Sequence, residues 1–158
     1  MIGFESHDHH HCRADCVARA EAHCASKGVN FTPIRRRVLE ILLDGHRAMG
    51  AYDILDVLRT EGQRAQPPVA YRALEFLVAH GLAHKIEKMN AFVACSHPGI
   101  DHDPAFLICR KCDSVAEATT TPAQGELDEV ARKAGFTIER AVLEAEGVCP
   151  NCTEGTTE

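Results

Sequence analysis

The stretch PPVAYRALEFLVAHGLAHKIEKMNAFVAC, residues 67–95, decides the fold of this chain. Its first half predicts a helix, with two prolines at the start, an inward stripe of Ala73, Leu74 and Leu77, and Gly81 as a stop. Its second half alternates apolar and polar residues around a central turn, which is typical of a β-hairpin. A helix that leads directly into a hairpin is expected at the end of a winged helix-turn-helix.

The same hairpin carries a candidate pair of metal ligands. If Met89 and Asn90 form a two-residue loop, His84 lies opposite Cys95 in the neighbouring strand. Opposite side chains in an antiparallel pair have Cβ atoms about 4.5–5.5 Å apart, so an imidazole and a thiolate could share one ion. The alternative is that both side chains only pack in the core.

Three further helices are predicted before this segment. An apolar stripe at residues 14–27 ends at Gly28, Thr32 and Pro33 begin a second helix, and a third spans about residues 51–60. Short helices followed by a hairpin form a winged helix-turn-helix domain. Its last helix, the recognition helix, reaches the edges of DNA bases with its early residues.

Four residues open the recognition helix and are expected to reach base edges: Val69, Ala70, Tyr71 and Arg72. Arg72 can donate to O6 and N7 of guanine, and Tyr71 can pack on the backbone or on a thymine methyl group. Residues 32–72 carry seven arginines against five acidic residues, although the chain has a formal net charge of −6. A basic first half suits a chain of which only this half meets an anion.

Three consecutive arginines open the second helix, where the positive end of the helix dipole disfavours cations. A DNA phosphate would relieve this charge, and Arg36 is the predicted DNA contact among the three. The alternative is a solvated face on which Arg36 pairs with Glu40, four residues along the helix.

Beyond residue 96, short strand patterns and one helical stripe predict a small α/β unit. The stripe consists of Leu127, Val130, Ala131 and Ala134, after a Thr-Pro helix start, and is predicted to be buried within the unit. A strand is predicted from Phe136. A core of about sixty residues is marginal, so this unit needs additional stabilisation.

Two CxxC motifs, Cys109 with Cys112 and Cys149 with Cys152, offer that stabilisation. Four thiolates complete a tetrahedral Zn²⁺ site and leave no position for a substrate, which predicts a structural zinc. The alternative is a pair of redox motifs, but neither CxxC opens a helix in a thioredoxin-like pattern.

A second group of candidate ligands consists of His84, Cys95, His102 and Glu117, with His97 as a spare. Mixed N, S and O ligands with one thiolate suit Zn²⁺, whereas a site of N and O ligands alone would suit Fe²⁺ or Mn²⁺. The alternative is that His84 and Cys95 pack in the core and Glu117 is a solvated strand residue.

Composition narrows the class of protein further. The chain has eight cysteines, ten histidines and no apolar run of 18 residues that could span a membrane. Its polar N-terminus does not resemble a signal peptide, which predicts a cytoplasmic protein whose cysteines are thiols and metal ligands. No nucleophile–base pattern or glycine-rich phosphate loop indicates an enzyme or a small-molecule substrate. Cys16 and Cys24 lie on a helical stripe and are predicted to be core residues.

Several motifs together resemble the ferric uptake regulator family, and most of all its zinc uptake regulator branch. They are FTPIRRRVLEIL, AYDILDVL, PPVAYRALEFLVAHGLAHKIE, FVAC, HDPAFLICRKCDSVAE and GVCPNC, which cover the chain from about residue 14 to residue 152 in family order. The family comprises dimeric, metal-dependent winged-helix repressors. The resemblance therefore implies a homodimer that binds a double-stranded DNA operator.

The resemblance also implies roles for individual residues. Cys109, Cys112, Cys149 and Cys152 match the family's structural zinc ligands, and His84, Cys95, His102 and Glu117 match the regulatory zinc ligands of the zinc branch. Two Zn²⁺ ions per subunit are thus expected. Tyr71 and Arg72 match the recognition helix, and Tyr52 matches a tyrosine that the zinc branch places near DNA.

Three departures from the family pattern qualify this expectation. One is the start HDHHHC, which is not part of the core pattern and is expected to be a solvated tail, with a loose zinc-binding arm as the alternative. The zinc branch commonly has Pro-Thr-Val-Tyr-Arg, whereas this chain has Val69 and Ala70 between Pro68 and Tyr71, which puts the operator sequence in doubt. The iron branch has a His-rich run before the first CxxC, whereas this chain has DHDP, which supplies a single histidine, His102. An additional iron-type site is therefore poorly supplied with ligands.

The predicted class is α+β. The expected order is a disordered His-rich arm (1–13), a winged-helix DNA-binding domain (14–95), a hinge loop (96–103), an α/β dimerisation domain (104–153) and a tail (154–158). The predicted function is a zinc-responsive repressor that binds palindromic operators of zinc-uptake genes. The alternatives are an iron, manganese or peroxide sensor of the same family, or a zinc-storage or thiol-redox protein that uses the CxxC pairs.

Overall fold

The computed structural model describes Phe4 and residues 9–45, 47–119 and 125–153. In chain order the elements are α1 (His9–Lys27), α2 (Pro33–Leu43), α3 (Ala51–Thr60), α4 (Pro67–Ala79), β1 (Ala83–Ile86), β2 (Ala91–Ala94), β3 (Pro104–Cys109), β4 (Val115–Thr119), α5 (Glu126–Lys133), β5 (Leu143–Gly147) and α6 (Pro150–Thr153). Two compact units meet between Ile100 and Asp101 along the chain, within the range predicted for the hinge loop. None of the described helices is both long and apolar enough to cross a bilayer.

The first unit is built on α1 to α4, each of which buries one apolar face in a common core. At the start of α2 the side chain of Thr32 accepts a hydrogen bond from the Arg35 N–H at 3.4 Å, and Pro33 occupies the first helical position. Ile54 and Leu74 are completely buried, and each such side chain contributes about 1.5–3 kcal/mol. The predicted second, third and fourth helices are confirmed.

The first helix is longer than predicted. α1 begins at His9, so the predicted disordered arm overlaps the helix at residues 9–13. Arg13 forms an ion pair with Asp44, which follows α2, and this contact supports the extra turn. Apart from Phe4, the earlier part of the arm lies outside the described residues.

The β1–β2 hairpin, called the wing below, differs from the prediction in its register. His84 pairs with Val93, because the connection has four residues (87–90) rather than two. Asn90 adopts φ +47°, and its N–H closes the turn. Since side chains alternate with a period of two, a shift of two residues keeps them on the same face. His84 and Cys95 are therefore diagonal neighbours on one face and not opposite each other.

The second unit contains a three-stranded sheet in the order β4–β3–β5. β4 runs antiparallel to β3 and follows it through a tight turn, whereas β5 runs parallel to β3 and is reached through the segment that contains α5. The C-terminal ends of β3 and β5 consequently lie at one edge of the sheet, where Cys109 pairs with Gly147. Phe106, in the middle of β3, is buried.

The starts of α5 and of β5 differ in how far they test the prediction. α5 is described from Glu126, after its N-cap Gly125, and the predicted Thr-Pro start lies outside the described residues. The strand predicted from Phe136 begins only at Leu143. β3 supplies pairing partners only for Leu143–Gly147, so the alternating residues before it remain outside the sheet.

The apolar face of α5 has the predicted helical period but not the predicted burial. Ala131 is buried, whereas Leu127 and Ala134 are exposed and Val130 is 62% exposed. These residues line an open groove of about 450 Å³ together with Phe136 and other apolar side chains. The prediction that the chain itself buries this stripe is wrong.

Candidate metal centres and nucleic-acid interface

The four cysteines of the CxxC motifs meet because β3 and β5 are parallel. Cys109 ends β3 and Cys112 lies in the turn that follows, while Cys149 follows β5 and Cys152 lies in α6. Parallel strands bring their C-terminal ends to one edge of a sheet, so both CxxC segments are placed side by side.

The geometry of this cluster suits one tetrahedral metal ion. The four Sγ atoms all lie within 4.8 Å of one another, and those of Cys112 and Cys149 are 3.7 Å apart. Four thiolates at a Zn–S distance of about 2.3 Å would be separated by roughly 3.8 Å. Cys109 and Cys149 are buried, and the other two cysteines are half-buried. The four side chains therefore fit a closed structural zinc site.

The electrostatics of the cluster favour a bound cation. The backbone N–H of Cys149 donates to Sγ of Cys109 at 3.3 Å, and this contact is the main reason why the pKa of Cys109 falls to about 6. A hydrogen bond with Ser114 lowers the pKa of Cys112. The hydrogen bond with the Cys149 side chain raises the pKa of Cys152 to about 12. A divalent ion would hold all four sulfurs as thiolates, because coordination removes the thiol protons.

His84 and Cys95 form a buried pair at the base of the wing. Both side chains are buried in the first unit, and a ring nitrogen of His84 lies within 4.8 Å of Sγ of Cys95. The backbone N–H of His97 donates to Sγ of Cys95 at 3.3 Å. The side chain of His97, the predicted spare ligand, is exposed and lies next to Ser96.

His102 and Glu117 form a second buried pair, within the second unit. Nε2 of His102 lies 2.6 Å from Oε1 of Glu117, and the two side chains are 9% and 5% exposed. Glu117 is held in β4 opposite Phe106 of β3. The alternative that Glu117 is a solvated strand residue is therefore wrong. This pair offers one nitrogen and one oxygen ligand.

The predicted DNA contacts of the helices are mostly accessible. Tyr52 in α3 is 62% exposed, Tyr71 in α4 is 43% exposed, and Arg72 is also exposed. Ala70 is completely buried, so the prediction that it reaches base edges is wrong. It lies on the face of α4 that carries Leu74 and the other core residues.

The three arginines of α2 have partners within the first unit. Arg36 pairs with Glu21 and Glu40, so the intrahelical pair named as the alternative is present. Arg37 pairs with Glu40 and, through two guanidinium nitrogens, with Glu61. The hydrogen bonds from Arg37 hold the pKa of Glu61 below its usual range.

Arg35 contacts an aromatic ring, and Cys16 and Cys24 are at least half-buried within the first unit. The guanidinium of Arg35 lies 3.8 Å from the ring centroid of Phe76, whose other neighbour is His80 at the end of α4. Cys24 is buried, which confirms its prediction as a core residue, whereas Cys16 is half-buried. His46 and the side chain of Cys12 lie outside the described part of the chain.

One feature of the first unit has no signal in the sequence. Met49, just before α3, forms an isolated β-bridge with Phe92 of the wing, through N–H to O hydrogen bonds of 2.9 and 2.8 Å. Phe92 also lines a cavity of about 470 Å³ together with Tyr52 and Tyr71. A bridge of one residue on each side leaves no alternation pattern, so sequence reasoning could not find it.

Comparison with known proteins identifies relatives over most of the chain. The family model described as Ferric uptake regulator family matches residues 26–146. The zinc uptake regulation protein of Escherichia coli (strain K12) is 38% identical over 143 residues, which make up 89% of this chain and 82% of that protein.

Solved structures give the same result. A zinc uptake regulator complexed with zinc and DNA has a TM-score of 0.84 at 37% identity, over 90% of this chain and 96% of that one. The crystal structure of holo XcZur has a TM-score of 0.79 at 37% identity, over 90% of this chain and 99% of that one. The mixed helix and strand fold of this chain is thus that of the regulators it resembles.

Proposed function

The chain belongs to the ferric uptake regulator family, and from this premise we propose that it is a zinc-responsive transcriptional repressor. As a zinc-loaded dimer it binds palindromic operators and represses zinc-uptake genes. The observation that carries the proposal is the buried pair of His84 and Cys95 at the base of the wing. A thiolate beside an imidazole selects zinc over iron or manganese, and this pair directly follows a recognition helix.

The first zinc ion has a structural role and is held by the four CxxC cysteines. Its support is the sulfur cluster at the end of the parallel strands, which is closed to substrate by its own four ligands. In a small unit, structural zinc supplies stabilisation on the scale of the whole folding free energy.

The second zinc ion has a regulatory role, with His84 and Cys95 of the wing and His102 and Glu117 of the second unit as its ligands. The two members of each pair lie in one unit and are largely shielded from solvent, and together the pairs offer the N, S, N and O donors of a four-coordinate site. When bound, the metal cross-links the wing to the second unit. This gives two zinc ions per subunit.

Such a cross-link can supply the energy that regulation requires. Moving a conformational equilibrium from 1:99 to 99:1 needs roughly 5.5 kcal/mol of differential affinity. Two of the four ligands belong to each unit. The metal can therefore bind all four only in the conformational state in which the two pairs come together. Zinc therefore stabilises that state over the others, in which two of the ligands are lost.

DNA is recognised by the exposed side of α4. Arg72 donates to guanine in the major groove, and Tyr71 packs on the backbone or a thymine methyl group. Tyr52 is assigned a position near DNA, and Arg36 is assigned to a backbone phosphate. Because Arg36 already pairs with Glu21 and Glu40, its phosphate contact must replace those partners. If it does, an Arg36→Gln change lowers the salt dependence of binding by about one unit of slope.

The dimer is formed by the second unit, through the apolar face of α5. Leu127 and Val130 leave an unusually apolar surface open to solvent, and an obligate partner surface has this composition. Two copies present two recognition helices to successive major grooves, about one helical turn apart. The protein acts in the cytoplasm, as a DNA-binding regulator and not as an enzyme.

The test is operator binding measured against buffered free zinc. We expect Cys95→Ser and His84→Ala to need at least about tenfold more free zinc than the parent, and Glu117→Gln to behave in the same direction. His97→Ala is the matched control, because this exposed histidine lies two residues from Cys95. If Cys95→Ser and His84→Ala bind the operator at the parental zinc threshold, the regulatory site is assigned wrongly.

A metal analysis of freshly purified protein separates this proposal from an iron or manganese sensor, because that reading requires iron or manganese in the second site. The thiol-redox alternative predicts an intact second unit after chelation together with thiol–disulfide turnover. Unfolding of that unit on chelation contradicts it.

A further inference from the structure

Strand β2 connects Cys95 with the surroundings of Tyr52 and Tyr71, the two tyrosines assigned to DNA. β2 ends one residue before Cys95, and Phe92 lies three residues before Cys95, a distance of about 10 Å along a strand. On the edge of β2 away from β1, both backbone groups of Phe92 bond to Met49. Met49 precedes Gly50, the N-cap of α3, so the position of β2 fixes the start of this helix.

The side chain of Phe92 lines the same cavity as the two tyrosines. It is half-buried, packs against the core of α1 to α4, and lines the cavity of about 470 Å³ that Tyr52 and Tyr71 also line. Both phenol rings are largely exposed on their other side, and the ring of Phe92 forms part of the cavity wall beside them.

We propose that Phe92 is a positioning residue that transmits the state of Cys95 to Tyr52 and Tyr71. This inference rests on the proposed function and adds a route for its regulation. When Cys95 is held by zinc, β2 is fixed. Phe92 then fixes the start of α3 through its backbone and the two tyrosines through its ring. Zinc binding and DNA binding are thus coupled through Phe92, which is expected to contact neither ligand.

The chain carries its own reporter for this coupling. It contains two tyrosines and no tryptophan, so its intrinsic emission comes from Tyr52 and Tyr71 alone. Both tyrosines line the cavity beside Phe92. A change in tyrosine emission or in its quenching by iodide therefore reports on the surroundings of these two side chains, which include the cavity wall.

The experiment compares the full-length parent with Phe92→Ala, with Phe92→Leu, which keeps most of the apolar volume, and with the control Val57→Ala. Val57 is a partly buried core residue of α3 that does not line the cavity. Three quantities are measured: zinc affinity of the second site by competition with a chelating indicator, tyrosine emission during the same titration, and DNA affinity with and without that zinc.

We expect Phe92→Ala to bind the second zinc within about twofold of the parent. It should lose the zinc-induced change in tyrosine emission, and its zinc-dependent gain in DNA affinity should fall about tenfold. Phe92→Leu should retain most of the zinc-induced change in emission and most of the zinc-dependent gain in DNA affinity. Val57→Ala should match the parent in both quantities. Should Phe92→Ala fail to fold, Met49→Pro removes one hydrogen bond of the bridge and is expected to give the same loss of coupling.

Parental emission and parental zinc-dependent DNA binding in both Phe92→Ala and Met49→Pro overturn the inference and leave the proposed function intact. An equal loss in Val57→Ala also overturns it, since any core change would then suffice. If the parent itself shows no zinc-dependent DNA binding, the proposed function fails and the inference fails with it.

Discussion

The backbone N–H of Cys149 lies 3.3 Å from Sγ of Cys109, so a peptide group of one CxxC segment stabilises the thiolate of the other. This contact joins the ends of two parallel strands that are far apart in the sequence. It shows that the four-cysteine cluster and the sheet are parts of a single arrangement, to which both CxxC segments contribute.

Replacing Cys109 with serine should therefore cost more than one ligand. We expect the zinc content to fall by one ion per chain and the second unit to lose its cooperative unfolding transition, because structural zinc energy is folding energy in small units. Zinc analysis and circular dichroism measure the two effects. Cys16→Ser, at a half-buried cysteine of α1, is the control and should keep all bound zinc.

Arg72 should contribute to sequence discrimination through its geometry as well as its charge. Arg72→Lys keeps the charge but loses the two-pronged contact to guanine, so operator affinity should fall by about 1–3 kcal/mol. Affinity for unrelated DNA and the salt dependence should hardly change. Binding assays on both DNAs at several salt concentrations measure this. Arg19→Lys, at an exposed position in α1, is the matched control. An equal loss on both DNAs would contradict the base contact.

The open face of α5 should be required for dimer formation. Val130→Asp places a charge in the middle of the apolar groove, which a partner surface cannot bury without a large desolvation cost. We expect sedimentation analysis to show monomers at concentrations at which the parent is dimeric, and operator binding to weaken accordingly. Asp128→Asn changes a neighbouring residue outside the groove and should stay dimeric. A dimeric Val130→Asp protein would place the interface elsewhere.

The ion pair of Arg37 and Glu61 should make a pH-dependent contribution to stability. Hydrogen bonds from Arg37 lower the pKa of Glu61 in the folded state, so the folded state binds the proton more weakly than the unfolded chain. The stabilisation is fully present above the ordinary glutamate pKa of about 4.3 and is lost as the pH falls through the lower folded-state value.

Thermal melts across pH can measure this contribution as the difference in Tm between the parent and Glu61→Gln. The parent should be the more stable protein near pH 7, and the difference should shrink below about pH 4. Acid also releases zinc, but it does so from both proteins. Glu126→Gln, at an exposed position in α5, provides the baseline. A difference that persists unchanged into acid would show that Glu61 acts through packing alone.

The helices of the first unit could be predicted because their signals are local. Thr32 and Pro33 specify a helix start by themselves, and the apolar stripe of α3 repeats within ten residues. The wing register was missed by two residues, since the length of a turn depends on whether Asn90 adopts a left-handed conformation. His84 and Cys95 still lie on one face of the wing, because a shift of two residues keeps every side chain on the same side.

Other features were missed because they depend on partners distant in the chain. Arg37 finds Glu61 24 residues away, and the bridge of Met49 to Phe92 joins segments with no pattern in common. The exposure of Val130 is a different case, because a helical stripe predicts an apolar face but not which molecule covers it. Sequence reasoning thus proposed candidate ligands from residue types, and the tertiary structure showed which of these side chains meet within each unit.

The two CxxC segments also have a topological consequence. Cys112 and Cys149 are 37 positions apart, and the segment between them contains β4, α5 and β5. A bond that closes a loop of this length removes roughly 4 kcal/mol of chain entropy from the unfolded state, by analogy with a disulfide. The proposed dimer surface lies inside this closed loop. Metal loss would therefore open the loop that carries this dimer surface. The oligomeric state would then depend on whether the four cysteines hold their zinc ion.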